Sequence, residues 1–206
     1  MEQIIAYLKG KYAPRAIIVY GSYADGSNNE HSDFDALLIS EVDGELHDVS
    51  FVGGVQLDVF VYPPSRFEGG FDCGEFARIY DGNVILDTEG RGAALKKAVL
   101  DYIGSRPRKT EDELRAPIDW CRKMWQRTRR NDSEGMFRWH WLLTDSLEIF
   151  CDTAGQAYFG PKKSLRWMEM RYPEAFALYK NALFNFEPAA LAGWVGFLET
   201  LAGQRD

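Results

Sequence analysis

Apolar residues recur at every second position through much of the first half of the chain and at every third or fourth position through the second half. A period of two is typical of β-strands and a period near 3.6 is typical of α-helices. The first half therefore predicts a sheet with a few helices, and the second half predicts helices alone. The period changes at 104–108, where Gly-Ser-Arg-Pro-Arg is typical of a linker.

The first half predicts alternating short elements. Helices are expected at 2–12, near Ser22, at 73–80 and at 93–103, and strands at 15–21, 34–39, 46–52, 55–62 and 84–86. Gly53-Gly54 between two apolar runs indicates a two-residue hairpin turn. Pro63-Pro64 ends the strand that follows this turn.

The second half predicts a helical bundle. Helices are expected at 110–130, 134–158, 162–171, 173–184 and 188–202, with breakers at Asn131, Gly160-Pro161, Pro173 and Pro188. The predicted fold class is thus α+β, with a mixed sheet and flanking helices followed by a C-terminal α-helical bundle domain. We place the two domains at 1–104 and 109–206.

Three aspartates stand at the ends or in the middle of predicted strands. Asp33 and Asp35 flank Phe34 at the start of an apolar run, so in a strand both carboxylates share one face, about 6.5 Å apart. Carboxylates this close repel each other and stay ionised most readily around a cation. Asp58 lies within the apolar run 55–61, where an unpartnered charge would be costly.

A glycine and a serine follow the first predicted strand. Gly21 and Ser22 supply backbone N–H groups and a hydroxyl where a helix is expected to begin, which is a frequent place for phosphate binding. An anion cradle next to metal-binding carboxylates predicts a metal–nucleotide site.

The combined pattern resembles the nucleotidyltransferase superfamily, which includes DNA polymerase beta. Gly21-Ser22, a ten-residue spacer, Asp33-Phe34-Asp35 and the later Asp58 carry the resemblance, which covers about the first half of the chain. It is most similar to the small bacterial minimal and aminoglycoside-type members. The resemblance implies that the three aspartates hold two Mg²⁺ ions and that Gly21 and Ser22 bind the triphosphate of ATP or another nucleoside triphosphate.

One departure from the family concerns the cation that faces the phosphates. Many relatives carry a basic residue soon after Gly-Ser, whereas this chain has Tyr23-Ala24-Asp25. Either another cation serves the phosphates or nucleotide binding is weakened. Lys162 and Lys163 lie near a predicted helix start. They are either the cations that face the phosphates or simply an exposed lysine pair. Ser32 is either a further phosphate ligand or an ordinary turn serine.

The predicted helix 134–158 carries an acidic stripe. Trp141, Asp145, Glu148 and Asp152 fall on one face of the helix at 100° per residue. The stripe is either a solvated face or the acidic wall of an acceptor site. In aminoglycoside-type relatives the helical domain supplies an acidic acceptor-site residue, sometimes as general base, and this resemblance makes Glu148 a candidate beside Asp58.

His47 is related to Asp58 by the predicted hairpin. If Gly53-Gly54 forms a two-residue turn, His47 lies on the same sheet face as Asp58, diagonal to it and about 7–8 Å away. His47 is then either a partner of Asp58 or a histidine that faces solvent.

Composition narrows the class of protein. The 206 residues are 46% hydrophobic and 14% aromatic, which favours a packed globular protein. We expect a cytoplasmic protein without a membrane segment, because there is neither an apolar run of about 18 residues nor a basic leader. The three cysteines lack the spacing of a metal site and fit a reducing compartment.

The net charge of −7 argues against nucleic acid as the main partner. It fits a cationic small-molecule acceptor, or it serves solubility alone. We therefore expect transfer of a nucleoside monophosphate, AMP from Mg-ATP, to a hydroxyl of an acceptor such as an aminoglycoside. The alternatives are an antitoxin-like relative that modifies or binds a partner protein, and a nucleotide-binding relative without turnover. A homodimer stays open, because some relatives build their sites across one.

Overall fold

The computed structural model describes residues 1–130 and 132–204, and the chain divides into two compact units, Met1–Arg106 and Pro107–Asp206. Asn131, expected to separate two helices, lies outside the described residues. The roles predicted for the two parts, catalysis and acceptor binding, stay predictions.

The first unit is built on a mixed sheet. Its strands are β1 Ala16–Val19, β2 Phe34–Ile39, β3 Leu46–Asp48, β4 Phe51–Val52, β5 Val55–Tyr62 and β6 Asn83–Asp87. The strand order is β3-β5-β2-β1-β6, and β4 also pairs with β5. The β2–β5 pair is parallel and the other strand pairs are antiparallel. The predicted α+β class with a mixed sheet is confirmed.

The hairpin that leads into β5 keeps one register over its whole length. Both turn glycines have positive φ, +62° at Gly53 and +84° at Gly54, and His47 pairs with Phe60. The expected strand 46–52 is nevertheless split into β3 and β4. The Asp48 carboxylate accepts a hydrogen bond from the Ser50 backbone N–H at 2.9 Å, a local turn that interrupts the strand.

Helices cover both faces of this sheet. Helix α1, Glu2–Tyr12, packs Ile4 and Leu8 onto one face, and α3, Arg91–Ser105, packs Leu95 and Val99 onto the other. The short helix α2, Ser22–Asp25, follows β1 directly.

The helix expected at 73–80 is not an α-helix in the structure. The segment is wound by a series of hydrogen bonds to the third residue back and contains a 3₁₀ turn at Ala77–Ile79. Phe76 and Ile79, three residues apart, are both buried. At three residues per turn such positions fall on one side, which suits a 3₁₀ conformation.

The second unit contains the helices α4 Glu111–Thr128, α5 Ser133–Ala154, α6 Pro161–Arg171, α7 Pro173–Phe184 and α8 Pro188–Gly203. Its core includes the fully buried Phe150 and Trp194. Helix α5 ends at Ala154, before the expected position 158, because Gly155 adopts a left-handed cap with φ +72°. Among the described residues, no helix combines the length and the apolar character that a membrane span requires.

Candidate active site

Strands β2 and β5 bring two of the three predicted aspartates side by side. Asp35 stands opposite Asp58 in the parallel register. Neighbouring strands are about 4.8 Å apart and opposed residues point to the same face, so the two carboxylates are adjacent. Phe34 and Leu57, opposed on the other face, are fully buried and fix this register.

Asp33 and Ser32 precede β2. Asp33 is exposed. The Ser32 hydroxyl accepts a hydrogen bond from the Asn29 backbone N–H at 2.9 Å, so Ser32 has the turn role in this structure. The metal role of Asp33 and a phosphate contact from Ser32 stay predictions.

At Gly21 the backbone passes close to the Asp35 side chain. The φ of +65° and ψ of −149° of Gly21 lie in a region that is essentially restricted to glycine. A Cβ at this position would lie 2.3 Å from Oδ2 of Asp35. The preceding N–H, of Tyr20, donates to the Asp35 carbonyl at 3.1 Å. Ser22 then begins α2. The turn at Gly21-Ser22, which we call the β1–α2 corner, therefore lies next to the Asp35 carboxylate of β2.

His47 is a partner of Asp58. Its Nε2 lies 2.5 Å from Oδ1 of Asp58, and its ring stacks on Phe60 with centroids 4.2 Å apart. The predicted placement of His47 on the Asp58 face is thereby confirmed. The side chains of His47 and Asp58 remain 46% and 35% exposed, so the pair is also open to solvent.

Two residues near these carboxylates were not predicted from the sequence. Tyr20 is 4% exposed, and its hydroxyl makes no hydrogen bond among the described residues. Burial raises the pKa of Tyr20 to about 12, and the interaction of its hydroxyl with the Arg78 side chain opposes that shift. Arg78 also lies over Phe60, with Cζ 4.9 Å from the ring centroid.

Sequence features pointing to these two residues are few. Tyr20 directly precedes Gly21, which was a usable clue. Arg78 lies 20 residues beyond Asp58 in an irregular segment, and no motif points to it. Although burial disfavours its charge, the surrounding Tyr20, Tyr62 and Asp58 raise the pKa of Arg78.

The remaining predicted site residues lie in the second unit. Glu148 is exposed on α5, and Lys162 and Lys163 lie in the first turn of α6. Their parts in acceptor and phosphate binding stay predictions.

The acidic stripe around Glu148 is partly paired. The Trp141 indole N–H donates to Asp145 at 2.7 Å, and Lys109 pairs with Asp152 at 2.5 Å. Both interpretations of the stripe, a solvated face and the acidic wall of an acceptor site, stay predictions.

The donor set of the first unit fits magnesium in its chemistry. In the described part of the chain, no three histidine, cysteine or acidic side chains are grouped so that they could hold one metal ion. Mg²⁺ commonly binds through only one or two carboxylates together with substrate phosphates. Asp35 and Asp58 provide such a pair of carboxylates.

The N-terminal part of the chain matches a known family. Residues 2–51 match the family model described as polymerase beta, nucleotidyltransferase, and this segment includes Gly21, Ser22, Asp33 and Asp35. This match confirms the resemblance of the N-terminal part of the chain to the nucleotidyltransferase superfamily.

Beyond this segment, the chain has only distant similarity to known proteins. No curated protein matches the chain. The chain is similar to the crystal structure of a nucleotidyltransferase-like protein from Exiguobacterium sibiricum 255-15, with 12% sequence identity and a TM-score of 0.45. That match covers 98% of this chain and 72% of the other. A likeness at this level does not define a function.

Proposed function

We propose that the protein is a metal-dependent nucleotidyltransferase. It moves a nucleoside monophosphate, AMP from Mg-ATP, to a hydroxyl of a small cationic acceptor such as an aminoglycoside. The observation that carries the proposal is the Asp35–Asp58 pair, opposed on parallel strands beside Gly21 in the unit that begins with the matched segment.

Asp35 and Asp58 are the residues that would hold Mg²⁺, with Asp33 as the further ligand expected from the family. When bound, the metal would make the acceptor hydroxyl more acidic and neutralise charge on the triphosphate. Gly21 keeps the β1–α2 corner close to the Asp35 carboxylate, which sets the position of that ligand.

The reaction exchanges one phosphorus–oxygen bond for another. The acceptor oxygen bonds to the α-phosphorus, the bond from that phosphorus to the bridging oxygen breaks, and pyrophosphate leaves. The hydroxyl proton passes to a carboxylate base, Asp58 or, as the sequence also allows, Glu148. His47 restrains Oδ1 of Asp58, and Oδ2 has no hydrogen-bond partner among the described residues.

Charge supports a cationic acceptor. The chain carries a net charge of −7, and Asp145 and Glu148 expose carboxylates on α5. Opposite charge raises the rate of encounter and favours cationic over anionic ligands.

A pyrophosphate-release screen tests this proposal. Mg-ATP would be incubated with aminoglycosides, lincosamides and candidate partner proteins. We expect release of pyrophosphate with a small cationic acceptor. In Asp35→Asn the rate of release should fall by about 10³-fold or more, because the variant lacks a carboxylate for the metal ion that would neutralise charge in the transition state.

Asp43→Asn is the matched control, since Asp43 is an exposed aspartate in the loop before β3. It should retain the wild-type rate, and both variants should melt as the wild type does. An Asp35→Asn protein with full turnover would show that the reaction does not use this site.

A further inference from the structure

Arg78 differs from three other arginines of its unit in having no carboxylate partner among the described residues. Arg15, Arg66 and Arg91 in the same unit each form ion pairs with two glutamates. Among the described residues, Arg78 forms none, although its side chain is exposed. Its guanidinium donors are therefore not committed to a structural ion pair.

The guanidinium of Arg78 is held beside the aspartate pair. Its Cζ lies 4.9 Å from the centroid of Phe60. Phe60 follows Asp58 by two positions on β5, so both side chains project from the same sheet face. A position over an aromatic ring favours the positive charge of an arginine and leaves its N–H groups free to donate to a ligand.

The Tyr20 hydroxyl lies among the same charges. It interacts electrostatically with Arg78, Asp58 and Asp35. It is buried and lacks a hydrogen-bond partner in the described part of the chain. Buried polar groups are nearly always paired, so an orphaned hydroxyl here indicates a group that is completed by a ligand.

We propose that Arg78, with the Tyr20 hydroxyl, binds the polyphosphate of the nucleotide and supplies the cation that is missing from Tyr23-Ala24-Asp25. The inference rests on the proposed function, because it names how the same site takes its nucleotide. A guanidinium donates two parallel hydrogen bonds to phosphate oxygens, and such charge-assisted bonds are about twice as strong as neutral ones. The assignment places the cation in the same unit as the aspartate pair, unlike Lys162 and Lys163.

Calorimetric titration with Mg-ATP and with Mg-tripolyphosphate tests the assignment without requiring turnover. Tripolyphosphate isolates the phosphate contacts from those of the base and sugar. We expect Arg78→Gln to weaken binding of both probes by about 10- to 100-fold, the range of a charge-assisted hydrogen bond. Arg78→Lys should fall between that variant and the wild type, because it keeps the charge but loses the planar donor pair.

Arg66→Gln is the matched control. Arg66 also lies over a phenylalanine, with Cζ 5.3 Å from the Phe76 centroid, but it pairs with Glu45 and Glu75. Its loss should leave both affinities unchanged.

Tyr20→Phe separates a binding role from a structural one. Removing a buried hydroxyl that has no partner should leave the melting temperature unchanged or raise it. The same variant should bind Mg-tripolyphosphate several-fold more weakly.

Three results would overturn the proposal. One is wild-type affinity in Arg78→Gln for both probes. Another is a loss confined to Lys162→Gln and Lys163→Gln. The third is a wild-type protein that binds neither probe. If affinity depends on Arg78 but no acceptor yields pyrophosphate, the proposed function fails while the polyphosphate assignment stands.

Discussion

Gly21 links backbone conformation to the chemistry of the site. Its φ and ψ exclude other residues, and the space beside its Cα is filled by the Asp35 carboxylate. A side chain at this position therefore has two separate effects. It strains the turn after β1, and it displaces a carboxylate that the proposed reaction needs.

We predict that Gly21→Ala lowers the free energy of unfolding by about 1–3 kcal/mol and abolishes pyrophosphate release. Gly26→Ala is the control, because Gly26 also has positive φ, +73°, but a Cβ added there would meet no atom within 4 Å. Gly26→Ala should lower the free energy of unfolding by about 1 kcal/mol and keep the pyrophosphate-release activity. Denaturant unfolding and a pyrophosphate assay measure both effects, and an active Gly21→Ala protein would refute the role of this corner.

Single residues show what the sequence could and could not predict. The spacing of Gly21, Asp35 and Asp58 was informative, because alternation in a strand decides which side chains share a face. Tyr20 and Arg78 were not found. Their relevance depends on contacts between distant segments, and no local pattern describes the irregular chain around Arg78.

At the scale of elements, local pairings were predictable and distant ones were not. Gly53-Gly54 fixed the hairpin register and hence the approach of His47 to Asp58. The parallel pairing of β2 with β5 places Asp35 opposite Asp58, but no tight turn joins parallel strands. The split of the expected strand 46–52 also depended on a side-chain contact, made by Asp48.

Asp48 ties α1 to the β3 edge of the sheet. Its buried carboxylate accepts hydrogen bonds from Lys11 Nζ at 2.9 Å and the Tyr12 hydroxyl at 2.8 Å, as well as from Ser50. Burial alone would favour the neutral acid. The bonds from Ser50, Lys11 and Tyr12 outweigh it and hold the pKa of Asp48 well below its usual range.

A depressed folded-state pKa stabilises the fold when the carboxyl would be ionised in the unfolded chain. We therefore predict that this contribution is complete above about pH 4 and is lost as the pH falls below that value. Asp48→Asn should lower the free energy of unfolding by about 1.5–3 kcal/mol at pH 7. In this variant the free energy of unfolding should also fall less steeply as the pH is lowered. Urea unfolding at pH 7 and pH 3 measures this, with Asp43→Asn as a control that should keep the wild-type acid dependence.

At the scale of the whole molecule, the sequence indicated two parts through its change of period at 104–108. The described chain divides at Arg106. Each unit has its own buried core, because the sheet faces and the five-helix unit bury separate sets of apolar side chains. The sequence led to an expected class of acceptor but to no particular molecule, since the acidic stripe on α5 has no motif that specifies a ligand.

Glu148 is the residue through which the helical unit can be tested for acceptor binding. Of the acids in the stripe, Asp145 accepts from Trp141 and Asp152 pairs with Lys109. Glu148 is exposed and has no hydrogen bond or ion pair among the described residues. It is therefore the acid best able to meet an incoming cation.

We predict that Glu148→Gln impairs transfer to the acceptor and leaves Mg-ATP affinity unchanged. A rise confined to the acceptor KM means charge attraction, whereas a fall in kcat means a proton acceptor or a contact made only in the transition state. Glu169→Gln, on the exposed surface of α6, is the control and should match the wild type. If Glu148→Gln changes neither constant and stability by no more than about 0.5 kcal/mol, the stripe is only a polar surface and Asp58 is left as the base.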